Sequence, residues 1–150
     1  MPNAFILLAE DSEDDEKLTL RALRDLPSCY SVRVARDGGA AAEMLGLRGG
    51  ANSNAPLPIL VLLDIQMPKI NGLDLLQMIR DEGRTNLLNV VVFSSSNRKE
   101  DVDRAHGLRA EYRQKPMEYS EYLDTVKSVV SQALPSFHPE ASALSMARLA

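Results

Sequence analysis

The feature of this chain that most constrains its fold is a regular alternation of short apolar runs with amphipathic stretches. Three runs are continuously apolar, as in strands buried on both faces, one alternates with period two, and one is short and polar. These five runs are FILLA (5–9), YSVRVA (30–35), ILVLL (59–63), VVVF (90–93) and RAEYRQ (109–114). Because repeated strand–helix units need right-handed crossovers, they predict an α/β domain with a parallel sheet covered by helices on both faces.

The stretches between the runs predict five helices. Apolar residues recur near helical spacing in these stretches, and Pro27 stops the first helix. The predicted helices cover residues 11–26, 40–47, 73–83, 97–106 and 119–134. The acids at 13–16 are interpreted as a solvated first turn that suits the helix dipole. The turn-rich segment from Gly49 to Pro58 is predicted to be a loop.

Composition and charge limit the functions that are open to the chain. A single domain is expected for 150 residues of which 45% are apolar. The net charge of -4 argues against a broad nucleic-acid-binding face. The single cysteine, Cys29, cannot form an internal disulfide, which fits a reducing compartment. No secretory leader or membrane-length apolar run is recognised, so a cytoplasmic protein that binds neither nucleic acid nor membrane is expected.

Polar residues directly follow four of the five strand-like runs, and they define a candidate site. Glu10 and Asp11 follow the first run, Asp64 the third, Ser94 the fourth and Lys115 the fifth. Since the ends of parallel strands gather at one edge of an open sheet, where ligands bind, we expect these side chains to converge on one pocket. Carboxylates, a hydroxyl and an ammonium together suit a divalent metal and a phosphoryl group.

The carboxylates predict a magnesium site. Carboxylates that lie close together repel one another, and a divalent cation relieves this repulsion. Mg²⁺ prefers oxygen ligands and keeps some of its waters. We therefore assign Asp11 and Asp64 as direct ligands, the backbone carbonyl of Gln66 as a third ligand, and Glu10 as a group that acts through water. No other cofactor is predicted.

Asp64 is also the predicted nucleophile of the site. A carboxylate can form an aspartyl phosphate, and phosphoryl transfer depends mainly on positioning and on electrostatic stabilisation of the phosphoryl oxygens. Lys115 supplies a positive charge on a long side chain, and Ser94 supplies a hydroxyl donor. Because Ser94 opens a run of three serines, the sequence leaves open which of them points inward, and Ser94 is favoured.

Taken together, these segments resemble the receiver domain of bacterial two-component response regulators. The matching pieces are ILLAEDSEDD, VLLDIQMPKINGLDLL, VVVFSSS and YRQKP, which run from about residue 5 to 134 in the family's order and spacing. The resemblance implies a doubly wound, flavodoxin-like sheet of strand order 2-1-3-4-5. It also implies a signalling protein rather than an enzyme, in which a phosphoryl group passes from a phosphohistidine of a sensor histidine kinase to Asp64 with magnesium bound.

The resemblance also implies roles for individual residues. By position, Ser94 matches the switch hydroxyl, Lys115 the phosphate-binding lysine and Tyr112 the aromatic residue that changes rotamer. The peptide bond between Lys115 and Pro116 is expected to be cis. The chain departs from many receivers at Glu10, where an aspartate is common, but it keeps a carboxylate at this position.

The end of the chain lies outside the five-unit pattern. Residues 1–134 are predicted to form the receiver domain, and residues 135–150 a C-terminal extension too short for an output domain. This extension contains four large apolar residues: Phe137, Leu144, Met146 and Leu149. They predict an arm that reaches a second chain and helps to form a homodimer. The EDS start, the long loop 47–58 and this extension resemble stand-alone regulators that partner bacterial phytochrome kinases.

Three other functions match parts of the pattern. A haloacid-type phosphohydrolase also forms an aspartyl phosphate, but it needs a second acid where this chain has Gln66. A receiver-like scaffold without phosphotransfer has no need of the full acceptor set. A nucleotide- or flavin-binding domain of similar topology needs a glycine-rich phosphate loop after the first strand, which this sequence lacks.

Overall fold

One parallel sheet of five strands forms the centre of the protein. The computed structural model describes residues 4–27, 29–49 and 54–134. The strands are β1 (Ala4–Ala9), β2 (Tyr30–Ala35), β3 (Leu60–Leu63), β4 (Val90–Ser94) and β5 (Glu111–Gln114). Their order is β2-β1-β3-β4-β5, and every pairing is parallel. The predicted doubly wound fold and its strand order are confirmed.

Five α-helices alternate with the strands in the described residues. They are α1 (Glu13–Ala22), α2 (Gly38–Met44), α3 (Gly72–Asp81), α4 (Lys99–Gly107) and α5 (Tyr119–Ala133), and one turn of 3-10 helix (Leu47–Gly49) follows α2. The side chains of Ser12, Asp37 and Asn71 cap α1, α2 and α3 by accepting a backbone hydrogen bond. The cap at Asp37 explains why α2 begins earlier than the predicted residue 40. Within the described residues, no helix is long and apolar enough to cross a membrane.

The sheet separates two apolar layers. Residues of α2, α3 and α4 pack on one face, and residues of α1 and α5 pack on the other. Successive residues of a strand point to opposite faces, so Leu7 of β1 lies in the first layer while Ile6 and Leu8 lie in the second. Because β1, β3 and β4 are covered on both sides, their sequences are continuously apolar. The polar strand β5 lies at an edge of the sheet.

The strand register places the predicted site residues at one edge of the sheet. Ala9 at the end of β1 is opposite Leu63 at the end of β3, and Leu63 is opposite Val92. Ser94 at the end of β4 is opposite Gln114 at the end of β5. The residues that follow these strand ends therefore emerge side by side at the carboxyl edge.

Two glycines permit close backbone contacts beside this edge. A Cβ atom at Gly72 would lie 1.9 Å from the backbone oxygen of Asp64, and one at Gly38 would lie 1.9 Å from the backbone oxygen of Ile70. The N–H of Gly72 donates a hydrogen bond of 2.7 Å to the carbonyl of Ile65. The start of α3 therefore packs directly on the backbone that carries Asp64, and glycine at position 72 makes this contact possible.

The peptide bond between Lys115 and Pro116 corrects one prediction. None of the peptide bonds in the described residues is cis, so the cis bond implied by the resemblance is wrong for this structure. The trans isomer is intrinsically favoured by about 0.5–1 kcal/mol at X–Pro bonds. With this isomer the N–H of Lys115 still donates to the carbonyl of Ser94 at 2.8 Å. The predicted arm, residues 135–150, lies outside the described residues.

Candidate functional site

Three carboxylates meet at the carboxyl ends of β1 and β3. Glu10, Asp11 and Asp64 each offer one oxygen, and these oxygens lie within 4.8 Å of one another. Glu10 and Asp64 are buried, with 2% and 9% of their surface exposed, whereas Asp11 is exposed. The structure thus brings together the three acids that the strand ends predict.

The ammonium of Lys115 lies inside this group of acids. Its Nζ is 2.6 Å from Oε2 of Glu10, 2.8 Å from Oδ2 of Asp15 and 3.1 Å from Oδ2 of Asp64. A lysine ammonium has three N–H donors, so each donor can have its own carboxylate partner. The side chain of Lys115 is only 6% exposed. The structure therefore places Lys115 at Asp64, where the sequence predicts a phosphate-binding group.

The first turn of α1 corrects the interpretation of residues 13–16 as a solvated face. Asp15 pairs with Lys115, and the carboxylate of the buried Glu16 lies 3.0 Å from two nitrogens of the Arg36 guanidinium. The other two acids of the turn are exposed. Side chains on a helix tilt toward its N-terminus, and residues 10–12 separate α1 from the end of β1, so acids of this turn can reach the site. This pattern does not distinguish Asp15 from the other acids of the turn.

The acids and the lysine shift one another's protonation. Burial raises the pKa of Glu10 from 4.5 to about 7; Lys115 opposes the shift, and the Asp64 carboxylate adds to it. Burial alone would lower the pKa of Lys115, but the carboxylates of Asp64 and Glu10 outweigh it and raise this pKa. The ammonium therefore stays charged. The excess negative charge at the site is relieved either by a proton on Glu10 or by a cation.

The set of oxygen donors fits a hard divalent cation. Mg²⁺ is commonly held by one or two carboxylates while it keeps several waters, and the oxygens of Glu10, Asp11 and Asp64 lie within 4.8 Å of one another. Oδ1 of Asp64 accepts a hydrogen bond of 2.7 Å from the N–H of Ile65, which orients the carboxylate. Gln66 is exposed in the loop that follows, and the role of its backbone carbonyl as a ligand stays a prediction.

Ser94 and Tyr112 both contact the backbone of Ser96. Oγ of Ser94 accepts a hydrogen bond of 3.2 Å from the N–H of Ser96, and the hydroxyl of Tyr112 donates one of 2.5 Å to the carbonyl of the same residue. Of the three consecutive serines, only Ser94 is buried, at 1% exposure. The two predicted switch residues are therefore linked through a single residue of the β4–α4 loop.

A buried tyrosine of α5 packs behind the lysine, which the sequence analysis did not include in the site. The hydroxyl of Tyr122 lies 3.2 Å from Oγ1 of Thr19 on α1. Its ring and the Phe93 ring pack in a T-shaped arrangement with their centroids 5.2 Å apart, and Nζ of Lys115 lies 6.0 Å from the Phe93 ring centroid. Burial raises the pKa of Tyr122 to about 12, so this side chain is neutral. Through its contact with Thr19, it links α5 to α1.

A parallel sheet of order 2-1-3-4-5, with crowded acids and a lysine at its carboxyl edge, defines a receiver-type signalling domain. Residues 6–127 match the response regulator receiver domain, and the chain belongs to this family.

Several relatives share most of their length with this chain. It is 33% identical over 126 residues to a probable methanogenesis regulatory protein, FilR2, of Methanothrix harundinacea, covering 83% of this chain and 80% of the relative. It is 35% identical over 101 residues to the response regulator Rcp1 of Synechocystis sp., covering 67% of this chain and 68% of the relative.

Solved structures show the same similarity. The crystal structure of the Mn²⁺-bound form of Rcp1 has a TM-score of 0.81 at 29% identity and covers 90% of this chain and 97% of its own. The phosphorylated cyanobacterial phytochrome response regulator RcpA has a TM-score of 0.80 at 30% identity, with coverage of 91% and 97%. The resemblance to receiver domains, including regulators named for phytochromes, is confirmed.

Proposed function

We propose that this protein is a response regulator that accepts a phosphoryl group on Asp64 from the phosphohistidine of a sensor histidine kinase, in a reaction that depends on Mg²⁺. The observation that carries the proposal is the buried ammonium of Lys115, 3.1 Å from Oδ2 of Asp64 among crowded carboxylates. A lysine with only a surface role has no need of burial, whereas one that stabilises phosphoryl oxygens must lie at the acceptor.

The transfer forms one P–O bond and breaks one P–N bond. An oxygen of Asp64 attacks the phosphorus, and the histidine nitrogen of the kinase leaves with the electron pair of the broken bond. The N–H of Ile65 holds Oδ1 of Asp64, which leaves Oδ2, the oxygen beside Lys115, to attack. Lys115 then donates a hydrogen bond to a phosphoryl oxygen.

The acids of the site hold the metal in this proposal. Asp11 and Asp64 bind it directly, Glu10 acts through water, and the backbone carbonyl of Gln66 completes the protein ligands. When bound, Mg²⁺ neutralises part of the negative charge on the carboxylates and on the phosphoryl oxygens. The three convergent oxygens support this assignment, as does the Mn²⁺-bound form of the similar regulator Rcp1.

The switch proceeds through Ser96. When the hydroxyl of Ser94 turns to donate to the phosphoryl group, the N–H of Ser96 loses the acceptor that it has in this structure. The carbonyl of Ser96 holds the hydroxyl of Tyr112, so a movement of this backbone releases Tyr112 into the space that Ser94 leaves. The surface formed by α4, β5 and α5 then changes, and output follows through protein–protein contacts.

The proposed kinase is a bacterial phytochrome, and the proposed assembly is a homodimer. The kinase assignment is supported by the similarity to RcpA and to the bacteriophytochrome response regulator AtBRR, which is 33% identical with a TM-score of 0.67 and covers 91% of this chain and 95% of its own. The dimer is supported by the apolar residues of the segment 135–150.

Phosphorylation by acetyl phosphate with Mg²⁺ tests the proposed acceptor. Intact mass spectrometry should show one added phosphoryl group on the wild type and none on Asp64→Asn. The exposed Asp25→Asn is the control for loss of one carboxylate, and it should be modified like the wild type. Equal modification of wild type and Asp64→Asn, or none on the wild type in acetyl phosphate and in kinase phosphotransfer assays, would remove Asp64 as the acceptor.

A further inference from the structure

Asp15 is an additional acid in the site that the assigned chemistry does not use. Its Oδ2 lies 2.8 Å from Nζ of Lys115, and its side chain is 30% exposed. It belongs to α1, whereas Glu10 and Asp64 follow strands. Its carboxylate therefore reaches Lys115 from a helix, whereas the acceptor Asp64 reaches it from the end of a strand.

Asp15 is one of several groups that hold Lys115. Glu10 holds the same ammonium at 2.6 Å with a side chain that is 3% exposed, and the N–H of Lys115 donates to the carbonyl of Ser94. Without Asp15, the lysine keeps both of these anchors. The contribution specific to Asp15 is then its negative charge. This charge offsets part of the positive charge of Lys115, which attracts a phosphoryl group on Asp64.

The hydrogen bonds of the Lys115 ammonium to Asp15 and Asp64 also indicate that the charge of Asp15 acts on this lysine. Once Asp64 carries a phosphoryl group, the Asp64 oxygen bound to phosphorus no longer carries a negative charge. The ammonium N–H of Lys115 that pointed at this oxygen can then donate to a phosphoryl oxygen instead. Asp15 is not altered by this step. It continues to attract the ammonium toward α1 and to repel the added phosphoryl oxygens.

We propose that Asp15 is a positioning residue that draws Lys115 toward α1, so that it weakens the hold of the site on the phosphoryl group while it strengthens the hold on the metal cation. This inference rests on the proposed function of Asp64 and names a regulation of that site. The inference predicts opposite effects on the affinities for the metal cation and for the phosphoryl group, because one negative charge attracts a cation and repels an anion.

Four proteins test the inference: the wild type, Asp15→Asn, Asp15→Glu and Asp14→Asn. Asp14 is the matched control, because it is an exposed acid in the same turn of α1. Calorimetric titration gives the affinity for Mg²⁺, and a titration followed by amide NMR shifts gives the affinity for beryllofluoride, a phosphoryl analogue, at saturating Mg²⁺. Urea unfolding of each variant shows whether the fold is retained.

Asp15→Asn should bind Mg²⁺ about threefold to tenfold more weakly and beryllofluoride about threefold to tenfold more tightly, as expected for loss of one partly exposed charge beside the site. Asp14→Asn should change either affinity by less than about twofold, since its charge is solvated and screened. Asp15→Glu should stay nearer to the wild type than Asp15→Asn in both titrations, because it keeps the charge.

Two outcomes overturn the inference. If Asp15→Asn behaves like Asp14→Asn, the charge of Asp15 has no special access to Lys115. If Asp15→Asn binds both ligands more weakly, Asp15 is an anchor that the site needs and not a restraint. Failure of the proposed function is distinct from both, since then the wild type itself binds no beryllofluoride in the presence of Mg²⁺.

Discussion

At the scale of a single residue, the protonation of Glu10 depends on its burial and on its charged neighbours. Its Oε2 contacts Lys115 at 2.6 Å, and its Oε1 accepts a hydrogen bond of 3.1 Å from the N–H of Ser12. These contacts favour the carboxylate, yet burial outweighs them and raises the pKa of Glu10 to about 7. The side chain therefore changes charge near neutral pH when no cation is bound.

The pH dependence of stability should show this titration. The pKa of Glu10 is 4.5 when the group is free and about 7 in the folded protein. Between these values the folded state binds more protons than the unfolded state, so the contribution of Glu10 lowers the free energy of unfolding as pH rises through this window. Below the window Glu10 is protonated in both states, so it no longer makes the free energy of unfolding depend on pH.

NMR of the Glu10 carboxyl carbon measures the midpoint directly. We expect a midpoint near 7 without divalent cations and a lower one with Mg²⁺, because a cation favours the carboxylate. In Glu10→Gln the fall in stability over this pH window should flatten. A midpoint at the ordinary value of 4.5 in metal-free protein would show that burial does not raise the pKa of Glu10.

At the scale of elements, the contact between α3 and the end of β3 sets the position of Asp64. Gly72 begins α3, and its backbone lies against that of Asp64 and Ile65. A side chain at this position must push the helix away from the loop, since the atoms that a Cβ meets are backbone atoms that cannot rotate aside. The position of the acceptor therefore depends on a residue that has no functional group.

Gly72→Ala should destabilise the protein by at least about 2 kcal/mol, as expected for overpacking against rigid backbone. Gly83→Ala is the matched control, because a Cβ there meets nothing within 4 Å, and it should change stability by no more than about 0.5 kcal/mol. Urea unfolding measures both. Equal stability of the two variants would show that the α3 contact is not tight.

The sequence predicts the elements well because burial on two faces leaves few alternatives. A continuous apolar run such as β3 needs a sheet that is covered on both sides, and the acid that ends it must then lie at the carboxyl edge. Asp15 and Glu16 could not be predicted in this way. Their partners, Lys115 and Arg36, are 100 and 20 residues away in sequence, so these ion pairs depend on contacts that local periodicity does not contain.

At the scale of the whole molecule, the described residues form two apolar layers, one on each face of the sheet. Leu134, the last of them, is 2% exposed and belongs to the layer that α1 and α5 cover. A variant that ends at Pro135 should therefore keep its fold. If residues 135–150 form the proposed arm, light scattering after size exclusion should give a dimer for the full chain and a monomer for this variant.

Circular dichroism and urea unfolding are the controls for that comparison, and both should be unchanged by the truncation. A shortened chain that keeps the dimer mass would assign the interface to the receiver domain itself.

The sheet also acts as a partition, because none of the helices in the described part of the chain belongs to both of the layers that it separates. A change of side-chain volume beneath α3 therefore meets other residues of its own layer first, and it reaches α5 only through the backbone of the shared strands.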